Sequence, residues 1–241
     1  MRTLIHFSSH IRTQAQAMLL TAQFNLCRHL NPDCDIAIID SASQIPPMGF
    51  LPGDWKAQRI LHDDHVPVID GKNTLLGFHD AIGHPYHDKL RERSGPCRAW
   101  MKGIECAIVS GYERIVYYEY DLLCRRPVAD AFNQMKVPVG TGGRPLGEQF
   151  DEVGLFYANV DYLWRSKFVE RYNWRGPTTP LGEIRMMALL DADGARQVHH
   201  YPGQLRLRVW DHASPGLAHP RQARDAASLP QGIGAGAVLA G

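Results

Sequence analysis

The chain lacks several features that would place it in a specialised class of protein. No run of 18 apolar residues occurs among its 241 residues, so no segment is expected to span a membrane. The first residues, Met-Arg-Thr-Leu-Ile-His, lack the long apolar core of a signal peptide, and we expect a cytoplasmic protein. The formal net charge is only +1, so no overall field favours nucleic acid or an anionic membrane, although a local basic groove stays compatible with it.

Cysteine pairs and nucleotide-binding glycine motifs are also missing. The five cysteines are odd in number and form no C-x-x-C pair, which predicts reduced thiols rather than a disulfide framework. The segment 140–147 is rich in glycine but has no Gly-Lys-Ser/Thr, so it is not a P-loop. With 44% hydrophobic and 21% charged residues, the composition is that of an ordinary globular enzyme or binding protein.

The first 40 residues predict a strand, a helix and a second strand. An apolar run over 4–8 is followed by helical spacing from about 13 to 30, which Asn31-Pro32 ends, and by a second apolar run over 35–40. This order is the opening unit of a parallel, right-handed α/β sheet. Both strands turn polar at their ends, at Ser8 and Asp40.

The rest of the chain is less regular. Residues 43–93 predict loops and short helices with at most one strand, and they contain the short apolar stretch 66–69. Further predicted elements are helices over 94–110 and 179–190 and strands over 137–140, 155–160, 198–201 and 205–210, with Pro138 favouring a sheet edge for 137–140. We expect one domain over 1–220 and a flexible Gly/Ala-rich tail over 221–241.

The segment 113–121, Glu-Arg-Ile-Val-Tyr-Tyr-Glu-Tyr-Asp, is the most informative stretch of the chain. Its β-branched and aromatic run predicts a strand buried on both faces, which ends in Glu119 and Asp121. Ligands of open α/β sheets bind beyond the carboxyl ends of strands, and paired carboxylates suit Mg²⁺ or Mn²⁺ completed by phosphate oxygens. The alternative is a strand that simply becomes polar where it reaches solvent.

Basic residues precede this strand on a single helix face. Arg98 and Lys102 are candidate phosphate ligands. The alternative interpretation is a solvated helix face with a Lys102–Glu105 pair, which would contribute little to stability.

Two other groups of polar residues compete with this site. Asp191 and Asp193 form a second acid pair, but the following Gly194 favours an ordinary turn. The histidines of 79–88 are candidate zinc ligands of a metal-dependent hydrolase, although Gly83 and Pro85 disturb a helical H-x-x-x-H face.

The segment 117–123 resembles the DXD segment of GT-A-fold, nucleotide-sugar-dependent glycosyltransferases, with Glu119 in place of the usual first Asp. Residues 156–165 are loosely similar to the F-N-A-G-V…W-R stretch of the branch containing glycogenin and the lipopolysaccharide galactosyltransferases; Tyr157 replaces its Asn, and Asn159 replaces its Gly. His200-Tyr201-Pro202-Gly203 looks like the H-Y/F-x-G turn of that branch, whose histidine is the third metal ligand.

The resemblance implies a GT-A-like (Rossmann-like) α/β/α sandwich with a mostly parallel sheet. It also implies transfer of a sugar from a nucleoside-diphosphate sugar to a hydroxyl of a glycan, lipid, protein or other acceptor. Glu119, Asp121 and His200 would hold Mn²⁺ or Mg²⁺, and Glu183 would be the base of an inverting reaction or a positioning residue of a retaining one. The residues expected to contact substrate are His6, Ser8, Asp40, Arg98, Lys102, Glu119 and Asn159. A GT-A-like module that binds nucleotide or glycan without catalysis is the remaining alternative.

Overall fold

The computed structural model describes residues 1–81, 95–119, 122–123, 126–142, 155–173, 182–199 and 205–206. The chain divides into two compact units, Met1–Val209 and Trp210–Gly241, and every described residue belongs to the first. The predicted boundary at residue 220 therefore lies outside the described residues.

The described strands and helices alternate along the chain as expected for an α/β protein. The strands are β1 (Thr3–Ser9), β2 (Asp35–Asp40), β3 (Lys56–Ile60), β4 (Asn73–Phe78), β5 (Arg114–Glu119), β6 (Leu122–Leu123), β7 (Val139–Gly142), β8 (Leu155–Asn159), β9 (Arg196–His199) and β10 (Leu205–Arg206). The helices are α1 (Gln14–Leu30), α2 (Gly95–Val109), α3 (Val128–Gln134), α4 (Val160–Arg165), α5 (Phe168–Tyr172) and α6 (Gly182–Ala192), with a 3-10 turn at Pro47–Gly49. None of the helices in this part of the chain is long and apolar enough to cross a membrane.

Eight of these strands form one sheet in the order β3-β4-β2-β1-β5-β8-β7-β9. The five strands from β3 to β5 are mutually parallel, β8 is antiparallel to both its neighbours, and β9 is parallel to β7. The predicted mostly parallel sheet is confirmed. Strands β6 and β10 pair separately and antiparallel.

Alternate side chains of the central strands enter two separate hydrophobic clusters, one on each face of the sheet. On β1, Leu4 belongs to the cluster that includes α2, α4, α5 and α6, whereas Ile5 and Phe7 belong to the cluster that includes α1 and α3. Strand β5 alternates in the same way. Because both strands are buried on two faces, the sequences of β1 and β5 are nearly continuous runs of apolar residues.

Helix α1 begins and ends where the sequence predicts, because its capping residues are specific. Thr13 Oγ1 accepts a hydrogen bond from the Gln16 backbone at 3.3 Å, and the Gln16 side chain accepts from the Thr13 backbone at 3.2 Å, which is a capping box. At the other end, the Asn31 amide donates to the Cys27 carbonyl at 3.0 Å, while its Oδ1 accepts from the Val128 backbone at 2.8 Å. Asn31 therefore joins the end of α1 to the start of α3.

Three predicted features need correction. In the described part of 43–93, residues 43–81, there are two strands, β3 and β4, where at most one was predicted, and the apolar stretch 66–69 lies outside both. Strand β7 lies between β8 and β9 rather than at an edge, because Pro138 precedes the strand and leaves its amide ladder intact. The predicted strand 155–160 ends at Asn159, and Val160 begins α4.

Candidate functional site

The neighbouring strands β1, β2 and β5 end together, at what we call the C-terminal edge of the sheet. Their register places Ser8 beside Glu119 and Ser9 beside Asp40. The structure thus places three residues that the sequence assigned to substrate, namely Ser8, Asp40 and Glu119, at the same edge of the sheet. Glu119 is half-buried, and the Ser8 hydroxyl is hydrogen-bonded to the Tyr117 hydroxyl at 2.8 Å.

Asp40 organises the loop that leaves the C-terminal edge. Its Oδ1 accepts from the Ser9 hydroxyl at 2.7 Å and from the Ser43 hydroxyl, and its Oδ2 accepts from the Ser43 backbone at 3.0 Å. Ser43 Oγ in turn accepts from the Ile11 backbone at 2.6 Å. A buried carboxylate bonded in this way fixes the exits of β1 and β2 relative to each other.

His10 and Arg12 lie between β1 and α1, next to this loop, and were not predicted from the sequence as site residues. His10 Nδ1 is 2.7 Å from the Ser41 carbonyl, and the Arg12 Nε donates to His10 Nε2 at 2.9 Å. Because a carbonyl only accepts and a guanidinium only donates, this arrangement requires the His10 ring to carry its proton on Nδ1. The sequence signal was the polar stretch Ser8-Ser9-His10 that follows an apolar strand.

Arg98 and Lys102 occupy the face of α2 that packs against the loops following β3 and β4. Arg98 Nε donates to Asp63 at 2.8 Å, its NH1 donates to Asp80 at 2.8 Å, and its guanidinium lies 3.8 Å above the Phe78 ring. Lys102 donates to the Asp63 carbonyl at 2.6 Å and to Glu105.

The alternative of a solvated helix face is therefore wrong, although the Lys102–Glu105 pair that it included is present. The side chains of Arg98 and Lys102 are only 3% and 1% exposed. Desolvation acts to raise the pKa of the Asp80 carboxyl, but the hydrogen bond and the positive charge of Arg98 together outweigh it, so the pKa is lowered. Both cations join α2 to the loops at the C-terminal edge.

The structure separates two other predicted residues from this group. His6 is fully buried between β5 and α2, its ring centroid is 5.2 Å from that of Tyr117, and burial lowers its pKa to about 3. Asn159 pairs with Arg114, at the N-terminal edge of the sheet, because β8 runs antiparallel to β5. Asn159 is therefore five residue steps of β5 from the level of Glu119, about 17 Å along the strand.

The remaining predicted residues lie partly or wholly outside the described residues. Asp121 and His200 fall outside them, and for Glu183 the structure describes only the backbone, in the first turn of α6. Among the described residues, no group of three or more His, Cys, Asp or Glu side chains is placed to hold a metal ion.

The competing acid pair has structural partners. Asp191 is bidentate to Arg196, and Asp193 is bidentate to Arg171 and accepts from the Tyr162 hydroxyl at 2.7 Å. These bonds lower the pKa of Asp193 to about 2. Gly194 has a φ of +61°, so the predicted turn is confirmed. Of the histidines at 79–88, only His79 is described; its Nδ1 lies 3.7 Å from Asp80.

Comparison with known proteins gives structural matches only. No protein-family model matches the chain, and no curated protein matches it in sequence. TarS 1–349 of S. aureus matches with a TM-score of 0.50 and 8% identity, over 85% of this chain and 59% of that one. The glycosyltransferase GlyE of Streptococcus pneumoniae TIGR4 has a TM-score of 0.48 and 10% identity, over 82% of this chain and 45% of its own.

A third match is the mannosyltransferase PcManGT of Pyrobaculum calidifontis, solved with GDP-Man and Mn²⁺, with a TM-score of 0.49 and 12% identity over 83% of this chain and 55% of that chain. The chain spans less than half the length of GlyE and just over half that of the other two. The conclusion about the fold rests on the match to TarS, and at 8% identity this match is evidence for the fold alone. The chain has the fold of the GT-A glycosyltransferases.

Proposed function

We propose that this protein transfers a sugar from a nucleoside-diphosphate sugar to a hydroxyl acceptor. The observation that carries the proposal is the meeting of Ser8, Asp40 and Glu119 at adjacent strand ends, two residues before Asp121, in a GT-A fold. Open α/β sheets bind their ligands beyond this edge. Ser8 and Glu119 border the space in which the nucleoside would lie, and Asp40 holds the surrounding loop through Ser43.

A divalent cation would be held by Glu119, Asp121 and His200. The described member, Glu119, is a half-buried carboxylate, and oxygen ligands suit Mg²⁺ and Mn²⁺. Strand β9, which precedes His200, runs parallel to β5 and ends at the same edge, about 14 Å from β5 across the two intervening strands, so one ion can join Asp121 and His200 only if the chain beyond these strand ends converges. When bound, such a cation would neutralise charge on the diphosphate leaving group.

Glu183 is the proposed base or positioning acid. Arg185, two residues later, donates through NH2 to the Tyr172 carbonyl, and the Tyr172 hydroxyl contacts Cys97 Sγ at 3.1 Å in the first turn of α2. Since α2 begins on the side where β4 ends, the first turn of α6 lies toward the C-terminal edge. This placement supports a role for Glu183 near the acceptor.

Arg98 and Lys102 support the site indirectly in this proposal. Their described partners are Asp63, Asp80 and Glu105, so their charges hold the loops after β3 and β4 against α2. A direct contact with the donor diphosphate would require these bonds to open.

A thermal-shift panel of nucleotide sugars, with and without Mn²⁺, tests the proposal, followed by donor hydrolysis and product analysis with the best donor. We expect a donor-dependent rise in melting temperature, turnover that EDTA abolishes, and loss of turnover in Asp121→Asn. Asp161→Asn is the matched control, because Asp161 is an exposed acid at the opposite edge, paired only with Arg165 in the described residues.

Turnover that survives both chelation and Asp121→Asn would refute the metal-dependent mechanism. Nucleotide-induced stabilisation without turnover for any donor and acceptor would instead support a binding module. Zinc retained through purification, with activity that depends on His84 and His87, would support the hydrolase alternative.

A further inference from the structure

A half-buried arginine at the N-terminal edge of the sheet has an open cavity beside it. Arg114 begins β5, and its guanidinium carbon lies 4.6 Å from the centre of the Phe132 ring on α3. Among the described residues, no carboxylate, carbonyl or side-chain acceptor bonds to this guanidinium. Stacking on an aromatic ring orients an arginine without using its five N–H donors, so these donors remain available to a ligand.

The cavity beside Arg114 carries a second cation. It has a volume of about 380 Å³, and Lys136 and the exposed Asn159 line it together with Phe132 and Pro138. In the described part of the chain, the ammonium group of Lys136 has no ion-pair partner, and the Asn159 side chain does not cap α4. Arg114, Lys136 and Asn159 therefore line one cavity whose described lining contains no carboxylate.

The two acids that line the adjoining cavity have cationic partners of their own. Glu113 lies 3.6 Å from the amino group of Met1, and Asp161 is paired with Arg165 at 2.8 Å. Both acids line the adjoining larger cavity of about 910 Å³ and not the smaller one. Arg114 and Lys136 together carry a formal charge of +2, which matches a phosphate monoester better than a single carboxylate.

The larger cavity provides an apolar continuation. It shares Arg114, Pro138 and Asn159 with the smaller one, and Val109 and Trp164, which are 51% and 63% exposed, form part of its wall. A ligand with its phosphate between Arg114 and Lys136 could lay an apolar group along this wall. Such a contact would remove from water the apolar surface that the folded chain leaves exposed.

We propose that the N-terminal edge of the sheet binds a phosphate monoester, with Arg114 and Lys136 as its cationic ligands and Asn159 as a donor. The phosphate comes either as the free ion or as the head of an apolar alkyl ester. This site lies at the edge opposite to the proposed donor site and does not depend on it.

Isothermal titration with inorganic phosphate and with hexyl phosphate tests this site. Arg114→Gln and Lys136→Gln are each expected to weaken binding of both probes about tenfold or more, since each removes a charge-assisted hydrogen bond. Arg59→Gln is the matched control: Arg59 is an exposed arginine of β3 without a partner among the described residues, so its loss removes the same charge away from the cavity.

Trp164→Ala distinguishes the two sources of phosphate. Weaker binding of hexyl phosphate with unchanged binding of inorganic phosphate identifies an alkyl phosphate ligand, and unchanged binding of both probes identifies the free anion. Unchanged binding in Arg114→Gln, or an equal loss in Arg59→Gln, overturns the proposal. Melting temperatures without ligand verify that each variant is folded, and because no sugar donor is used, failure here leaves the proposed transferase function untouched.

Discussion

His6 has a buried imidazole whose nitrogens both lack a hydrogen-bond partner among the described residues. Burial disfavours its charged form, so its pKa falls from 6.5 to about 3 on folding. Between these values the unfolded chain binds a proton that the folded chain excludes, and the free energy of unfolding therefore decreases as the pH falls from 6.5 toward 3. At about 1.4 kcal/mol for each pKa unit, this one group contributes several kcal/mol of acid sensitivity.

We expect His6→Leu to reduce the loss of stability between pH 7 and pH 4.5, measured as the free energy of unfolding in urea. The leucine cannot titrate, and it removes two unsatisfied polar atoms from the core. His29→Leu, at an exposed position of α1, is the control and should retain the wild-type pH dependence. Identical pH dependence in His6→Leu and the wild type would contradict the assignment.

Arg98 permits a second prediction at the scale of single residues. Replacing it with Met removes the guanidinium that pairs with the carboxylates of Asp63 and Asp80, which are 21% and 44% exposed. We expect Arg98→Met to lower the free energy of unfolding by about 2 to 4 kcal/mol, less than for a fully enclosed pair because solvent screens both acids. Asp63→Asn in a double-mutant cycle should give a coupling energy of about 1 kcal/mol or more; additive effects would show that the pair is unimportant.

These residues also show which features of the site could not be predicted from the sequence. The spacing of Arg98 and Lys102 indicated a shared helix face, and they do share one. Their acid partner, Asp63, belongs to a stretch without clear periodicity, so the sequence could not distinguish a phosphate site from an internal ion pair. His6 sits within an apolar run, and a strand buried on both faces has no polar alternation that would reveal which side its histidine occupies.

At the scale of elements, α2 approaches β1 closely because it carries a glycine at the contact. A Cβ atom at Gly103 would lie 2.2 Å from His6 Nδ1 and 2.3 Å from its Cε1. We expect Gly103→Ala to destabilise the protein by about 3 kcal/mol, because the ring is enclosed and cannot move aside. In a His6→Ala background the same change should be neutral or stabilising, since alanine favours a helix by about 1 kcal/mol over glycine. A full penalty in both backgrounds, measured by urea unfolding, would contradict this contact.

The capping box of α1 gives a prediction of smaller size. Thr13→Ala removes the acceptor for the Gln16 backbone amide and should lower the free energy of unfolding by about 1 kcal/mol. Thr13→Ser keeps the hydroxyl and is the control, with an expected change of a few tenths of a kcal/mol. Equal losses in the two variants would show that the methyl group, rather than the cap, matters.

The elements with the clearest pattern of hydrophobic residues were predicted most accurately. Strands β1, β2 and β5 are nearly continuous apolar runs, and α1 and α2 have periodic apolar faces with recognisable ends, so all five were located within about a residue or two. Strand β3, Lys-Ala-Gln-Arg-Ile, lies at the sheet edge with mostly exposed side chains, so its sequence has no buried pattern. The short helices α3, α4 and α5 owe their form to packing on the sheet rather than to periodicity of their own.

At the scale of the whole molecule, the two proposed sites lie at opposite edges of one sheet. A nucleoside diphosphate and hexyl phosphate should therefore bind without competing, and their shifts in melting temperature should add when both are present. Arg114→Gln should remove only the shift caused by hexyl phosphate. Displacement of one ligand by the other in a titration would place both at a single site.

Strand β1 leaves the ribosome before β2 and β5, the two strands that it pairs with, and β5 comes from a distant part of the chain. One side pairs with β2, complete at residue 40, while the other pairs with β5, which ends at Glu119. During synthesis, the side of β1 that pairs with β5 stays unpaired until about 80 more residues have been added, although the strand contains Leu4, Ile5 and Phe7. The nascent chain thus presents an unpaired apolar edge for several seconds at ordinary elongation rates, which is the interval in which a chaperone would be needed.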